Sequence, residues 1–172
     1  MTGPWLTLLW AAPAIGAVAA AALPRAARWI GLAAALVALV IGIGLAVAFD
    51  PAGGFQFVES HSWIPSFGAG YRLGLDGTGL VLVLLTAALL PVLLLAGWRE
   101  ASTERGGTYV ALTLAVEAMV LVSFVATDVL LFYLVFEAML IPLYFLLAGF
   151  GGTGSDRGLR THAALKLSLI HI

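Results

Sequence analysis

The stretch at residues 129–150 reads VLLFYLVFEAMLIPLYFLLAGF and contains a single charged residue, Glu137. An α-helix rises 1.5 Å per residue, so about 20 apolar residues cross the roughly 30 Å hydrocarbon core of a lipid bilayer. The stretch is long enough and apolar enough to predict a transmembrane helix.

The rest of the chain repeats this pattern. Further apolar stretches occupy residues 5–23, 29–48, 78–98 and 109–126, and another begins near 161 and continues to residue 172. We predict an all-α membrane protein with about five transmembrane helices plus the start of a sixth, in one membrane domain over residues 1–172. Because the sixth helix is cut short, we expect the chain to be truncated.

The composition agrees with a membrane protein. Of the 172 residues, 62% are hydrophobic and 10% are charged, and the mean hydropathy is +1.09, whereas soluble domains are about a quarter charged. The chain has no cysteine and a formal net charge of -1, which argues against disulfides, thiolate metal sites and nucleic-acid partners. No nucleotide-binding fingerprint or H-E-x-x-H metal motif is present. We therefore predict no metal site, no catalytic residues and no cofactor in this chain.

The arginines indicate an orientation, because short loops rich in Lys and Arg stay in the cytoplasm. Two arginines follow each of the first, third and fifth predicted spans, at positions 25 and 28, 99 and 105, and 157 and 160; the opposite loops contain only Arg72. This bias predicts a multi-pass protein whose N-terminus lies outside. The first segment has no basic n-region, so we interpret it as a retained helix and not as a signal peptide.

The longest connection, residues 49–77, alternates aromatic and polar residues around Phe57 and Trp63. Such alternation favours a short β-hairpin, here on the outer face. Four tryptophans at positions 5, 29, 63 and 98 fall near the ends of the spans. Tryptophan rings settle at the headgroup level, so these four predict anchoring and not chemistry.

Two carboxylates lie inside the predicted spans, Glu117 in the fourth and Glu137 in the fifth. A charge at this depth costs several kcal/mol by insertion scales, and such residues often belong to proton relays. The turn between the two spans centres on Thr127, ten residues from each acid, and ten residues of helix measure about 15 Å. We therefore expect both carboxyls near mid-membrane, at the same depth and facing the bundle, as candidate proton-transfer groups. The alternative is that one of them is a structural acid, either hydrogen-bonded between helices or facing a water-filled crevice.

Four other residues have weaker assignments. Pro142 removes the N–H that would bond the carbonyl of Ala138, so we expect a helix kink next to Glu137. Asp128 and Asp76 begin apolar spans, where we favour a helix-capping role; a secondary proton-transfer role for Asp128 stays open. Lys166 lies in the sixth span, where it either reaches the cytoplasmic surface or takes part in proton transfer.

The segment DVLLFYLVFEAMLIPLYFLLAG at residues 128–149, and above all its core FEAMLIPLY, resembles the fifth helix of subunit M of the bacterial proton-pumping NADH:quinone oxidoreductases, an antiporter-like family. The segments GLDGTGL, at 74–80, and WIPSFGAGYRLGLDG upstream of it are similar to the start of the family's third helix. The resemblance extends from about Trp5 to Lys166. It implies that the chain is an N-terminal fragment of a family member, either natural or from a truncated gene with a foreign tail.

The resemblance implies that Glu137 is the family's essential glutamate, which pairs with a lysine on a seventh helix. That lysine is not in this chain, and Lys166 resembles a residue of helix six. The resemblance also implies membrane partners similar to the L, N and K subunits, with quinone reached through the complex. Flavin, iron-sulfur clusters and the NADH site would lie in partner subunits, and the protein would reside in the bacterial inner membrane.

The sequence leaves three alternatives to this assignment. A cation/proton antiporter subunit of the Mrp type would use the same glutamate without a dehydrogenase. An inert truncated fragment would fold without transporting anything. A membrane-embedded hydrolase is disfavoured, because no complete span pairs a nucleophile with a histidine.

Overall fold

The computed structural model describes residues 3–64, 69–99, 101 and 105–150. Its helices are α1 (Trp5–Ala22), α2 (Ala27–Ala48), α3 (Gly77–Ala96), α4 (Gly106–Val125) and α5 (Val129–Phe150). All five are long and apolar enough to cross a membrane. The predicted fold class is confirmed. The predicted sixth span lies outside the described residues.

Helix α4 is the centre of the bundle, because it packs against each of the other four helices. Helix α5 packs mainly against α4 and the hairpin, and among its residues only Leu131 and Pro142 are buried. Most of the α5 surface is therefore left uncovered by the described residues.

Small residues let the helices approach closely. A Cβ atom added to Gly16 of α1 would lie 2.5 Å from the Cβ of Ala34 in α2, and one added to Gly31 of α2 would lie 2.5 Å from Val110 Cγ1 in α4. Real Cβ atoms are not found at such distances, so α1, α2 and α4 can pack this tightly only because these positions are glycine. Membrane helices have no hydrophobic drive to associate with each other within lipid, and close packing of this kind holds them together.

A two-stranded antiparallel hairpin covers one end of the bundle, as the aromatic-polar alternation predicts. It consists of β1 (Gln56–Ile64) and β2 (Ala69–Leu75). The register shifts between Gln56 and Glu59, where Phe57 has a φ of 53°. One extra residue on a strand is a β-bulge, which redirects the side chains that follow it. After this bulge, Val58 is exposed and Glu59 is buried against the helices.

The tryptophans at the opposite end lie close to an arginine. The rings of Trp29 and Trp98 meet edge to face at 5.2 Å, and the guanidinium carbon of Arg28 is 5.7 Å and 5.4 Å from their ring centroids. Trp29 remains 58% exposed. This geometry fits the anchoring role predicted for residues at a membrane surface.

Candidate functional site: acids in and above the spans

Glu117 lies in the central helix and is 3% exposed. Both of its carboxyl oxygens are buried and have no hydrogen-bond partner among the described residues. A polar group buried in this way costs free energy, because nothing replaces the hydrogen bonds that it made with water. Among the described residues, Glu117 makes no hydrogen bond between helices, and its role in proton transfer stays a prediction.

Glu137 lies in α5, as many residues after the α4–α5 turn as Glu117 lies before it. It is partly exposed. At 3.6 residues per turn, Glu137 lies about a third of a turn around α5 from the buried residues Leu131 and Pro142. Since the oxygens of Glu117 have no partner, the two carboxyls are not hydrogen-bonded to each other. Counting residues predicts their level but not the directions in which they point.

Pro142 is buried, and α5 continues as one α-helix on both sides of it. The kink predicted next to Glu137 stays a prediction. Lys166, the secondary candidate in the sixth span, lies outside the described residues.

Asp76 and Asp128 both cap helices. Oδ1 of Asp76 accepts from the N–H of Gly79, at 2.7 Å, at the start of α3. Oδ1 of Asp128 accepts from the N–H groups of Leu130 and Leu131, at 3.0 Å and 3.1 Å, at the start of α5. These bonds satisfy donors that the first turn of a helix leaves without partners.

Asp128 has a second role that its position in the sequence does not predict. Its Oδ2 accepts from the N–H of Gly70 in β2, at 3.2 Å, and the N–H of Thr127 donates to the carbonyl of Arg72, at 3.0 Å. The pKa of the Asp128 carboxyl lies below its ordinary value, mainly because the carboxylate accepts hydrogen bonds from the N–H groups of Leu131 and Gly70. Asp128 therefore joins strand β2 to the start of α5 while it is ionised.

Glu59 is a buried acid that sequence reasoning missed. It is 8% exposed, and its Oε1 accepts from the N–H groups of Leu6 and Thr7, at 2.7 Å and 3.2 Å. Helix α1 begins after Pro4 and has no side-chain cap of its own. Glu59 supplies the missing cap from the hairpin, more than fifty residues along the chain.

The cap extends into a small polar network. The other carboxylate oxygen of Glu59 accepts from the hydroxyl of Thr7, and the Thr7 and Tyr71 hydroxyls are 2.7 Å apart. The indole N–H of Trp10 donates to the Tyr71 hydroxyl, at 2.9 Å. Both strands of the hairpin are thus fixed to α1, and β2 is fixed to the α4–α5 turn as well. Two features of the sequence could have indicated this role of Glu59: the start of α1 has no capping side chain, and Glu59 is a lone acid within an alternating strand.

These features define a class: an α-helical multi-pass membrane protein that buries an ionisable side chain within its spans, as transporters do. The chain is 46% identical to NADH-quinone oxidoreductase subunit M of Mycobacterium tuberculosis over 98% of its length and 36% of the relative. It is 38% identical to subunit M of Rhodobacter capsulatus over 84% of its length and 27% of the relative. No protein-family profile matches the chain.

Respiratory complex I from Thermus thermophilus with bound NADH contains a chain of similar structure. The TM-score is 0.75 at 26% identity, over 95% of this chain and 32% of that one. The chain belongs to the subunit M family of NADH-quinone oxidoreductases. It spans about a third of the length of the relatives that it matches.

Proposed function

We propose that this chain is part of an antiporter-like, proton-translocating subunit of a bacterial NADH:quinone oxidoreductase. Redox chemistry in other subunits would drive proton transfer through acids in its spans. The observation that supports the proposal most is Glu117, an acid in the central helix that is buried and has no hydrogen-bond partner within the described part of a chain from this family. A membrane protein retains such a group at a cost, and proton transfer is a reason to retain it.

Glu137 is the second proton-transfer group in this proposal. The α5 face on which it lies is turned away from the buried positions Leu131 and Pro142. The described residues leave much of that face exposed, and the family resemblance implies a helix seven whose lysine pairs with Glu137. An acid and a lysine in contact would stabilise each other's charged forms, so breaking the contact would favour uptake of a proton by the acid and release of a proton by the lysine.

The redox groups of the complex would belong to partner subunits. Iron-sulfur clusters are held by cysteine thiolates, and this chain has no cysteine. We propose that the chain contacts L-, N- and K-like membrane subunits and that flavin, NADH and quinone bind elsewhere in the complex. An Mrp-type antiporter would use the same acids, and the dehydrogenase names of the relatives favour the first assignment. The genes next to the coding sequence would distinguish the two.

Glu117→Gln in the full-length subunit is expected to reduce proton pumping several-fold. The amide has nearly the same volume as the acid but does not release a proton at neutral pH. Dye quenching in inverted membrane vesicles measures pumping, and oxidation of NADH in the same vesicles measures electron flow. Asp50→Asn is the matched control, because Asp50 is an exposed acid beyond the end of α2. If Glu117→Gln pumps as the wild type does, Glu117 is not a proton-transfer group.

The orientation is a separate prediction. We expect a reporter inserted near Gly53 to lie outside the cell and one fused after Gly152 to lie in the cytoplasm. The arginine bias sets the direction, and the three helices α3, α4 and α5 separate the two positions. Alkaline phosphatase should be active at Gly53 and inactive at Gly152. The reverse result would invert the topology, and activity at both positions would mean that one helix does not span.

A further inference from the structure

Helices α1 and α4 pack antiparallel, and two contacts establish their register. A Cβ atom added to Gly16 would lie 3.3 Å from Leu114 Cδ1, and one added to Gly107 would lie 3.1 Å from the carbonyl oxygen of Ala20. In an antiparallel pair, a step back along one helix matches an equal step forward along the other. Three residues before Gly16 is Pro13, and three residues after Leu114 is Glu117. Counting in the same way from Ala20 and Gly107 puts Glu117 level with Trp10. Glu117 therefore lies in the same layer of the bundle as the turn of α1 from Trp10 to Pro13.

Pro13 leaves an acceptor without its usual donor in that layer. Proline has no N–H, so the carbonyl of Leu9 lacks the helical hydrogen bond that another residue at position 13 would supply. Leu9 and Pro13 are both fully buried. Leu9, Pro13 and Gly16 are four and three residues apart, so they lie on one face of α1. On that face, Gly16 packs against Leu114 of α4.

The two helices thus contribute complementary groups. The two buried carboxyl oxygens of Glu117 have no hydrogen-bond partner in the part of the chain that the structure describes, and a protonated carboxyl has one O–H to donate. We propose that, when Glu117 carries a proton, its O–H donates to the carbonyl of Leu9, which makes Pro13 a positioning residue for the proton site. This inference rests on the proposed function and adds α1 to the groups that form the site.

The contact exists in only one state of Glu117. An ionised carboxylate has acceptors only, and a backbone carbonyl is also an acceptor. Loss of the proton therefore breaks the contact and frees the side chain to turn away from α1. The Leu9 carbonyl stabilises the proton-loaded state and has no attraction for the unloaded one.

Pro13→Ala tests the inference in the full-length subunit within its complex. Alanine restores the N–H at position 13, which then competes for the Leu9 carbonyl. Infrared difference spectra show the C=O stretch of protonated carboxyls, and the Glu117 band is the one that Glu117→Gln removes. In Pro13→Ala we expect this band to move to higher wavenumber, since its hydrogen bond is weakened. Proton pumping should fall by about three- to tenfold, the range for one net hydrogen bond.

Two further variants make the test specific. Pro91→Ala makes the same change at a buried proline of α3 and should leave the Glu117 band unmoved. Pro13→Gly also restores the N–H and should shift the band as alanine does. A Glu117 band at the wild-type position in both Pro13 variants overturns the inference. If Glu117→Gln itself pumps normally, the proposed function of Glu117 fails first, so the two failures are distinguishable.

Discussion

Glu137→Gln in the full-length subunit is expected to abolish proton pumping and to remove much of the coupled quinone reductase activity. The amide cannot take up and release a proton at neutral pH, and removal of a proton-transfer group costs about 100-fold or more where no other group replaces it. Electron flow should fall with pumping, because we propose that the two processes are coupled.

Glu137→Asp separates the chemistry from the structural role of the side chain. Aspartate retains the carboxyl but withdraws it by one methylene, so it should preserve part of both activities. Pumping and quinone reductase activity are measured in the same inverted vesicles, and immunoblots check that the complex assembles. Wild-type pumping by Glu137→Gln would refute the assignment. The effect should exceed that of Glu117→Gln, because the resemblance assigns the essential role to Glu137.

The spans could be predicted because each is a long apolar run. In hydrocarbon, the N–H and C=O groups of such a run have to bond to each other, which an α-helix achieves. The caps at Asp76 and Asp128 could be predicted from position, since an acid directly before an apolar run accepts from the first free N–H groups. The hairpin followed from the alternation around Phe57. All of these features depend on residues close together in the sequence.

The features that could not be predicted depend on distant residues. The central position of α4 is a result of helix packing, and it makes Glu117 the more deeply buried acid although the motif points to Glu137. Counting residues along the helices predicts that Glu117 and Glu137 lie at one level, but it does not give the directions of their side chains. It therefore could not show that the two carboxyls are not hydrogen-bonded to each other. Glu59 was missed because its partners, Leu6 and Thr7, lie more than fifty residues earlier.

The second large effect is expected at Glu59, whose replacement by leucine should release the hairpin from α1. The carboxylate accepts from the N–H groups of Leu6 and Thr7 and from the Thr7 hydroxyl. Leucine removes every one of these acceptors. A buried donor left without a partner costs about 1–3 kcal/mol, which corresponds to roughly a 5- to 150-fold increase in local opening for each N–H.

Hydrogen–deuterium exchange measures this opening directly, in purified full-length protein in detergent or nanodiscs. In Glu59→Leu, we expect amides of β1 and of the first turn of α1 to exchange at least about tenfold faster than in the wild type. Amides in the middle of α4, such as that of Leu114, should be unaffected, because the hairpin does not reach them.

Glu59→Gln keeps one acceptor oxygen and should give an intermediate rate. Ser60→Leu is the matched control, since Ser60 is the exposed neighbour on the other face of the strand. If Glu59→Leu and Ser60→Leu exchange alike in β1, the cap does not hold the hairpin, and its attachment must depend on Asp128 and the apolar contacts of Leu73 and Leu75 instead.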